Sequence, residues 1–159
     1  MSEPGWNEDF EDLVGALLDA GVRFLIVGAH ALAVHGVPRA TQDLDVWVEA
    51  SADNARRVMA ALEAFGAPLR AHGITGADFE VEGSVYQLGL PPSRIDLLTS
   101  LSGVDFEPAW GARVEARLGR FEVPFIGPES QLANKLASGR DKDLVDARLL
   151  RKILDGSDS

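Results

Sequence analysis

In the first part of the sequence, two segments have hydrophobic residues at helical spacing, and one continuous hydrophobic run lies between them. Apolar residues recur at helical spacing over residues 10–18, where Asn7 can cap a helix and Gly21 can end it. The continuous apolar run Phe24–Val27 is typical of a strand that is buried on both faces. Helical spacing resumes over residues 29–34. The chain is therefore predicted to begin as helix, strand and helix.

Strand-like and helix-like patterns continue to alternate along the rest of the chain. Polar and apolar residues alternate over Asp43–Val48, which predicts a strand, and Ser51 can cap a helix that extends to Phe65. The Gly- and Pro-rich segment 66–90 predicts short strands joined by turns. Further predicted elements are strands at 94–98 and 121–126 and helices at 128–139 and 141–154.

This order of elements predicts the fold class and the domain organisation. We expect an α/β (α+β) fold, with a small mixed β-sheet flanked by helices that pack on one side of it. Because 159 residues are enough for one hydrophobic core and cramped for two, we expect a single domain over 1–159. Its core would span about 22–127, followed by C-terminal helices at about 128–154.

Composition and charge narrow the functional classes. The sequence has 15 basic and 25 acidic residues, and this net charge of -10 argues against a general nucleic-acid-binding surface, though not against a small basic pocket. It has no cysteine, which excludes disulfides, thiolate zinc sites and a cysteine nucleophile. Residues 1–12 lack the layout of a signal peptide, and the apolar stretch 24–37 is too short to cross a bilayer. We expect a cytoplasmic protein without a membrane partner.

Three acidic residues on predicted strands are the first candidates for chemistry. Asp43 and Asp45 are two apart in a strand and therefore project from the same face. Neighbouring carboxylates repel each other unless a cation lies between them, and Mg²⁺ favours one or two carboxylates together with substrate phosphates. Asp96 would complete the cluster if its strand pairs beside the first. Taken alone, an Asp-x-Asp pair at a strand edge is more often solvated surface.

Residues on either side of these acids suggest phosphate binding. Gly28 and Ala29 lie where a buried strand turns into a helix, so their backbone N–H groups either face a phosphate or simply belong to the turn. Arg39, in the loop with Thr41 before the acids, could hold a phosphate bidentately or pair with surface acids. Lys135 lies on an otherwise apolar helix, where it is either a snorkelling lysine or a cation for phosphate.

Read in order, these motifs resemble the core of the DNA polymerase β-like nucleotidyltransferase superfamily, and within it the AbiEii-like toxin family and related nucleotidyltransferase-like domains. The resemblance covers most of residues 22–154 and depends on the order and spacing of its motifs. The matching runs are VGAHALAVHG at 27–36, RATQDLD at 39–45, RIDLL at 94–98, LANKL at 132–136 and RDKDLVD at 140–146.

The resemblance implies a metal-dependent enzyme that moves a nucleoside monophosphate from a nucleoside triphosphate to an acceptor hydroxyl, with a toxin–antitoxin enzyme as one form. Mg²⁺ or Mn²⁺ would be the cofactor, and two such ions can stabilise both the attacking and the leaving oxygen. The implied metal ligands are Asp43, Asp45 and Asp96. The implied catalytic residues are Asp96 and Lys135, and the implied nucleotide-binding residues are Gly28, Ala29, Arg39 and Thr41.

One departure from the family pattern keeps a second function open. The superfamily usually has Gly-Gly or Gly-Ser at the turn, and Ala29 supplies a backbone N–H there but no hydroxyl. The alternative is a non-catalytic module of the same fold that binds a nucleotide or a partner protein, as an antitoxin or a regulatory domain would. A drug-modifying transferase is a third possibility, but no second domain for the drug is predicted. The acceptor (RNA, protein or small molecule) stays open.

Overall fold

The computed structural model describes residues 8–89 and 93–156, and within these ranges the strands form one six-stranded mixed sheet. The order across the sheet is β3-β4-β2-β1-β6-β5, with β2–β4 and β1–β6 parallel and the other neighbours antiparallel. The strands are β1 (Phe24–Val27), β2 (Asp43–Val48), β3 (Val85–Leu88), β4 (Arg94–Leu98), β5 (Val114–Leu118) and β6 (Phe121–Phe125).

Helices connect and flank these strands, which confirms the predicted fold class. The cap predicted at Ser51 is present, since its hydroxyl accepts a hydrogen bond from Asn54 N at 3.2 Å, whereas Asn7 lies outside the described residues. No helix in the described ranges is long and apolar enough to cross a membrane. The helices are α1 (Glu8–Asp19), α2 (Gly28–Val34), α3 (Ala52–Phe65), α4 (Phe106–Gly111), α5 (Pro128–Ser138) and α6 (Asp141–Leu154).

Helices cover both faces of the sheet, so the expectation of a one-sided arrangement is wrong. The ring of Phe121 lies on the same face as Val46 by strand register and packs against Gly15 of α1. Trp47 points to the opposite face, where it is 2% exposed and meets Phe106 of α4 edge to face. Two covered faces explain why β1, at the centre of the sheet, is buried at every position.

The segment 66–90 and the segment before β6 differ from their predictions. Residues 66–84 hold turns and a 3₁₀ helix, Gly76–Phe79, rather than short strands, and β3 is the one strand described there. Leu69 and Phe79 are buried, so residues 66–84 contribute to the core through individual side chains rather than through strand pairing. The helix α4 and the edge strand β5 were not predicted from the sequence. Two of the five residues of β5 are exposed and one is buried, so the apolar signal of this strand in the sequence is weak.

Candidate active site

Strand pairing brings the acidic residues together on one face of the sheet. The strands β2 and β4 run parallel in register, so that Asp43 lies opposite Arg94 and Asp45 lies opposite Asp96. Directly paired residues in neighbouring strands point to the same face, about 5 Å apart. Three carboxylates and one guanidinium therefore share a single patch, although β2 ends at Val48 and β4 begins only at Arg94.

The guanidinium of Arg94 contacts two of the three carboxylates. Its Nη2 lies 3.6 Å from Oδ2 of Asp43, and its Nε lies 3.4 Å from Oδ1 of Asp96. The second contact is misaligned: Arg94 Nε and Asp96 Oδ1 are both buried without a hydrogen-bond partner in the described part of the chain. Burial raises the pKa of Asp96, although Arg94 opposes this effect. The ion pairs of Arg94 thus only partly satisfy the acids.

Asp45 is the most strongly perturbed of the three acids. Burial raises its pKa to about 6, and the negative charges of Asp96 and Asp43 add to this effect. Arg94 and Lys135 act in the opposite direction but do not outweigh it. A carboxyl group in such surroundings takes up a proton readily, and it would be stabilised in its charged form by an additional cation.

The turn between β1 and α2 packs directly against Asp45. Gly28 has a φ of +72° and begins α2, and a Cβ placed on it would overlap Oδ2 of Asp45. Its carbonyl oxygen accepts a hydrogen bond of 2.9 Å from Nε2 of Gln131, which is 1% exposed, on α5. Ala29 follows within α2, a helix of seven residues. Gly28 is therefore required both by its backbone angle and by the closeness of the carboxylate.

Thr41 supports the start of β2. Its hydroxyl accepts a hydrogen bond of 3.1 Å from Asp43 N and lies 3.3 Å from the carbonyl oxygen of Asp43, to which it can donate. The hydroxyl is thus engaged with the backbone of Asp43 and fixes the point at which β2 begins. A nucleotide-binding role for Thr41 stays a prediction.

The two candidate phosphate-binding cations share a carboxylate of α6. Lys135 Nζ lies 3.2 Å from Asp143 Oδ1 and 3.3 Å from Asp146 Oδ2, and its side chain is 13% exposed. Arg39 forms an ion pair with the other oxygen of Asp146. Asp146 therefore holds both cations, and Lys135 lies in a buried ionic network rather than snorkelling to solvent.

Asp143 anchors this network from inside the protein. Burial alone would raise its pKa, but hydrogen bonds from Ser138, Arg140 and Lys135 outweigh that effect and lower the pKa to about 2. The side chain is 1% exposed, and Arg140 Nε lies 2.7 Å from its Oδ2. This carboxylate is consequently charged throughout the neutral pH range and fixes the position of Lys135.

The carboxylate patch suits a hard divalent cation by its chemistry. Mg²⁺ and Mn²⁺ prefer oxygen ligands, and the patch offers an orphaned, buried Asp96 Oδ1 beside an Asp45 whose charge is poorly compensated. Within residues 8–89 and 93–156, however, no three Asp, Glu or His side chains converge closely enough to hold a metal ion as they stand. Metal binding would therefore require the carboxylates to reorient.

Two residues of this region were missed by the sequence analysis. Arg94 could have been found, because it is two residues before Asp96 on a strand and must share its face. Gln131 had no comparable signal, since its partner Gly28 is 103 residues away along the chain. Strand periodicity therefore indicates the position of Arg94, whereas no local pattern indicates that of Gln131.

Comparison with known proteins supports the fold assignment. No family model matches the chain, and no curated protein matches it. Among solved structures, the chain is similar to the crystal structure of a "putative nucleotidyltransferase" from Thermotoga maritima, with 14% sequence identity and a TM-score of 0.59 over 98% of this chain and 96% of that one. The chain therefore has a nucleotidyltransferase-like fold, and the carboxylate patch lies within it.

Proposed function

We propose that this protein is a metal-dependent nucleotidyltransferase that moves a nucleoside monophosphate from a nucleoside triphosphate to an acceptor hydroxyl. The observation that supports this proposal best is the pairing of Asp45 with Asp96 in adjacent strands, with Asp43 on the same face. The resemblance of the motifs to AbiEii-like toxins makes a toxin–antitoxin enzyme the form of this activity that we favour. The acceptor class (RNA, protein or small molecule) is identified by the labelling experiment described below.

In this reaction the acceptor oxygen forms a bond to the α-phosphorus of the nucleotide, and the bond from that phosphorus to the pyrophosphate oxygen breaks. Mg²⁺ or Mn²⁺, held by Asp43, Asp45 and Asp96, would neutralise the triphosphate and the leaving pyrophosphate. Asp96 is the candidate base for the acceptor proton. Positioning of the phosphates matters more than covalent catalysis in such transfers. We assign this positioning to Gly28, Ala29, Arg39 and Lys135.

The residues that position the triphosphate lie on three different elements. The Gly28–Ala29 turn approaches Asp45 closely enough for its backbone to meet the phosphates. Arg39 and Lys135 supply positive charge, and Asp146 keeps both side chains in place before a nucleotide arrives. A phosphate would compete with Asp146 for these two cations.

One observation favours the alternative, a nucleotide-binding or protein-binding module without turnover. Both candidate phosphate cations already have a carboxylate partner, because Asp146 contacts Arg39 and Lys135 at the same time. If Asp146 does not release them, a triphosphate gains little from either cation. Such a domain would act as an antitoxin or regulatory partner of another protein, and wild-type protein would release no pyrophosphate.

Pyrophosphate release tests the choice between these functions. The protein is incubated with Mg²⁺ and each labelled nucleoside triphosphate, with cellular RNA, protein and small-molecule fractions supplied separately as acceptors. We expect pyrophosphate release and label in one acceptor class, both abolished in Asp45→Asn. The matched control is Asp53→Asn, an exposed carboxylate of α3 paired with Arg56. No release from wild type with any nucleotide and any fraction would eliminate the transferase and leave the binding module.

A further inference from the structure

We propose that Arg94 is a built-in counter-ion of the carboxylate patch, and that a divalent cation binds Asp43 and Asp96 only by displacing its guanidinium. This role rests on the proposed function for the identity of the cation. It assigns a new task to Arg94: the residue sets how tightly the unliganded protein binds metal, and so makes tight metal binding depend on the incoming nucleotide.

The first support is the position of the side chain. Arg94 is the register partner of Asp43 and lies two residues before Asp96, so it must point to the face that holds the acids. Its guanidinium contacts Asp43 at 3.6 Å and Asp96 at 3.4 Å. A metal ion shared by these two carboxylates would need the space and the lone pairs that the guanidinium now engages.

The second support is the poor quality of these contacts. Other arginines in the protein make short, aligned ion pairs, such as Arg23 with Glu49 at 2.7 Å. Neither contact of Arg94 is a hydrogen bond, and Asp96 Oδ1 is buried without one in the described part of the chain. Strong Arg–carboxylate pairs are bidentate and near 2.8 Å, so this guanidinium is a weak partner that a better one can replace.

The third support is a route by which Arg94 can leave. Its side chain is 35% exposed, whereas that of Asp96 is 14% exposed. The arginine can therefore swing towards solvent on its flexible stem while β2 and β4 keep their pairing and only the side chains of the acids reorient. Once displaced, the guanidinium would lie at the rim of the patch, free to pair with a phosphate of the nucleotide.

Metal titration of Arg94 variants tests this role without any catalytic assay. Mn²⁺ binding is followed by the loss of the free-ion electron paramagnetic resonance signal, and Mg²⁺ is added as a competitor, both without nucleotide. We expect Arg94→Gln to bind Mn²⁺ about tenfold more tightly than wild type or better, because a unit charge a few ångströms from the ion is removed. We expect Arg94→Lys, which keeps the charge, to stay within about threefold of wild type.

A matched control separates local competition from net charge. Arg56→Gln removes the same charge from an exposed position of α3, where Arg56 pairs with Asp53, and should change Mn²⁺ affinity by less than about twofold. Thermal unfolding supplies a second readout. Saturating Mg²⁺ should raise the midpoint of Arg94→Gln by more than that of wild type, because the metal replaces the missing counter-ion.

Three results would overturn the role of Arg94. They are a Mn²⁺ affinity of Arg94→Gln equal to or weaker than that of wild type, no Mn²⁺ binding by either protein, and equal tightening in Arg94→Gln and Arg94→Lys. These outcomes are independent of turnover. If Arg94→Gln binds metal more tightly but the wild-type protein releases no pyrophosphate, the transferase function is rejected and the counter-ion role of Arg94 is retained. If the wild-type protein turns over and Arg94→Gln has unchanged metal affinity, the counter-ion role is rejected and the transferase function is retained.

Discussion

A Cβ on Gly28 would overlap Oδ2 of Asp45, so the turn after β1 and the carboxylate of β2 fit together only because residue 28 has no side chain. Val27 pairs with Asp45 across the two strands, which fixes the turn over the acid. The backbone of Gly28 also requires a φ of +72°, a value that glycine adopts freely and other residues do not.

Gly28→Ala should therefore destabilise the protein by more than its backbone angle alone explains. Gly21→Ala is the matched control, since Gly21 has a φ of +71° and no atom of residues 8–89 or 93–156 lies within 4 Å of an added Cβ. We expect the control to lose about 1 kcal/mol of unfolding free energy and Gly28→Ala at least about 1 kcal/mol more, measured by urea titration. Equal losses would mean that Asp45 moves aside without cost. Truncating the acid in Gly28→Ala/Asp45→Ala should recover the excess.

Asp45→Asn should change the pH dependence of stability. The folded protein raises the pKa of Asp45 to about 6, while the unfolded chain has a value near 4, so the folded state holds this proton more tightly. The contribution of Asp45 to the unfolding free energy therefore falls as pH rises from about 4 to 6. We expect Asn to make the metal-free protein more stable than wild type at about pH 8, by ~1–2 kcal/mol, with little difference near pH 4. Lower stability of the variant at pH 8 would contradict this expectation.

Asp143→Asn should destabilise the protein at neutral pH. The folded state lowers the pKa of Asp143 to about 2, so its contribution to stability is complete above about pH 4 and is lost as pH falls towards 2. Because Lys135 and Arg140 then lose a buried charged partner, we expect a loss of ~3 kcal/mol at pH 7 in urea denaturation. Adding Lys135→Met should recover part of this loss. A variant as stable as wild type would show that Asp146 alone suffices for Lys135.

Gln131→Met should loosen the turn without altering the charge of the patch. The amide of Gln131 donates to the carbonyl oxygen of Gly28 at 2.9 Å, and its Oε1 is buried without a partner in the described part of the chain. We expect a stability change of no more than ~1.5 kcal/mol, because the lost hydrogen bond is offset by removal of an unsatisfied oxygen. Nucleotide affinity, measured by calorimetry, should weaken. An unchanged affinity would separate the turn from nucleotide binding.

Asp96→Asn and Lys135→Met should distinguish binding from turnover. If Asp96 accepts the acceptor proton, its replacement should lower turnover by at least ~100-fold while nucleotide still binds through the divalent cation that Asp43 and Asp45 would hold. Lys135→Met should also reduce turnover more than binding if its charge acts mainly in the transition state. Binding is measured by calorimetry and turnover by pyrophosphate release, at a temperature at which each variant is folded. Equal losses of binding and turnover would assign both residues to nucleotide binding alone.

The sequence alone was sufficient for features that depend on a few neighbouring residues. The strand β2 and the shared face of Asp43 and Asp45 follow from alternation, because successive side chains of any strand point to opposite faces. The cap at Ser51 and the end of α3 at Gly66, which is left-handed, are equally local. The failures lay where the local signal is weak, in 66–84 and at the edge strand β5.

Only the tertiary structure decided which groups meet. Strand register, not spacing, placed Asp96 beside Asp45 and Arg94 beside Asp43, and helix packing brought Asp146 to Arg39 and Lys135. Backbone geometry dictates which face a side chain takes within one strand, whatever the rest of the chain does. Pairing between distant elements depends on the free energy of burying the whole core, in which no single motif decides the outcome. The acids were therefore predictable from the sequence, but which cation lies against which acid was not.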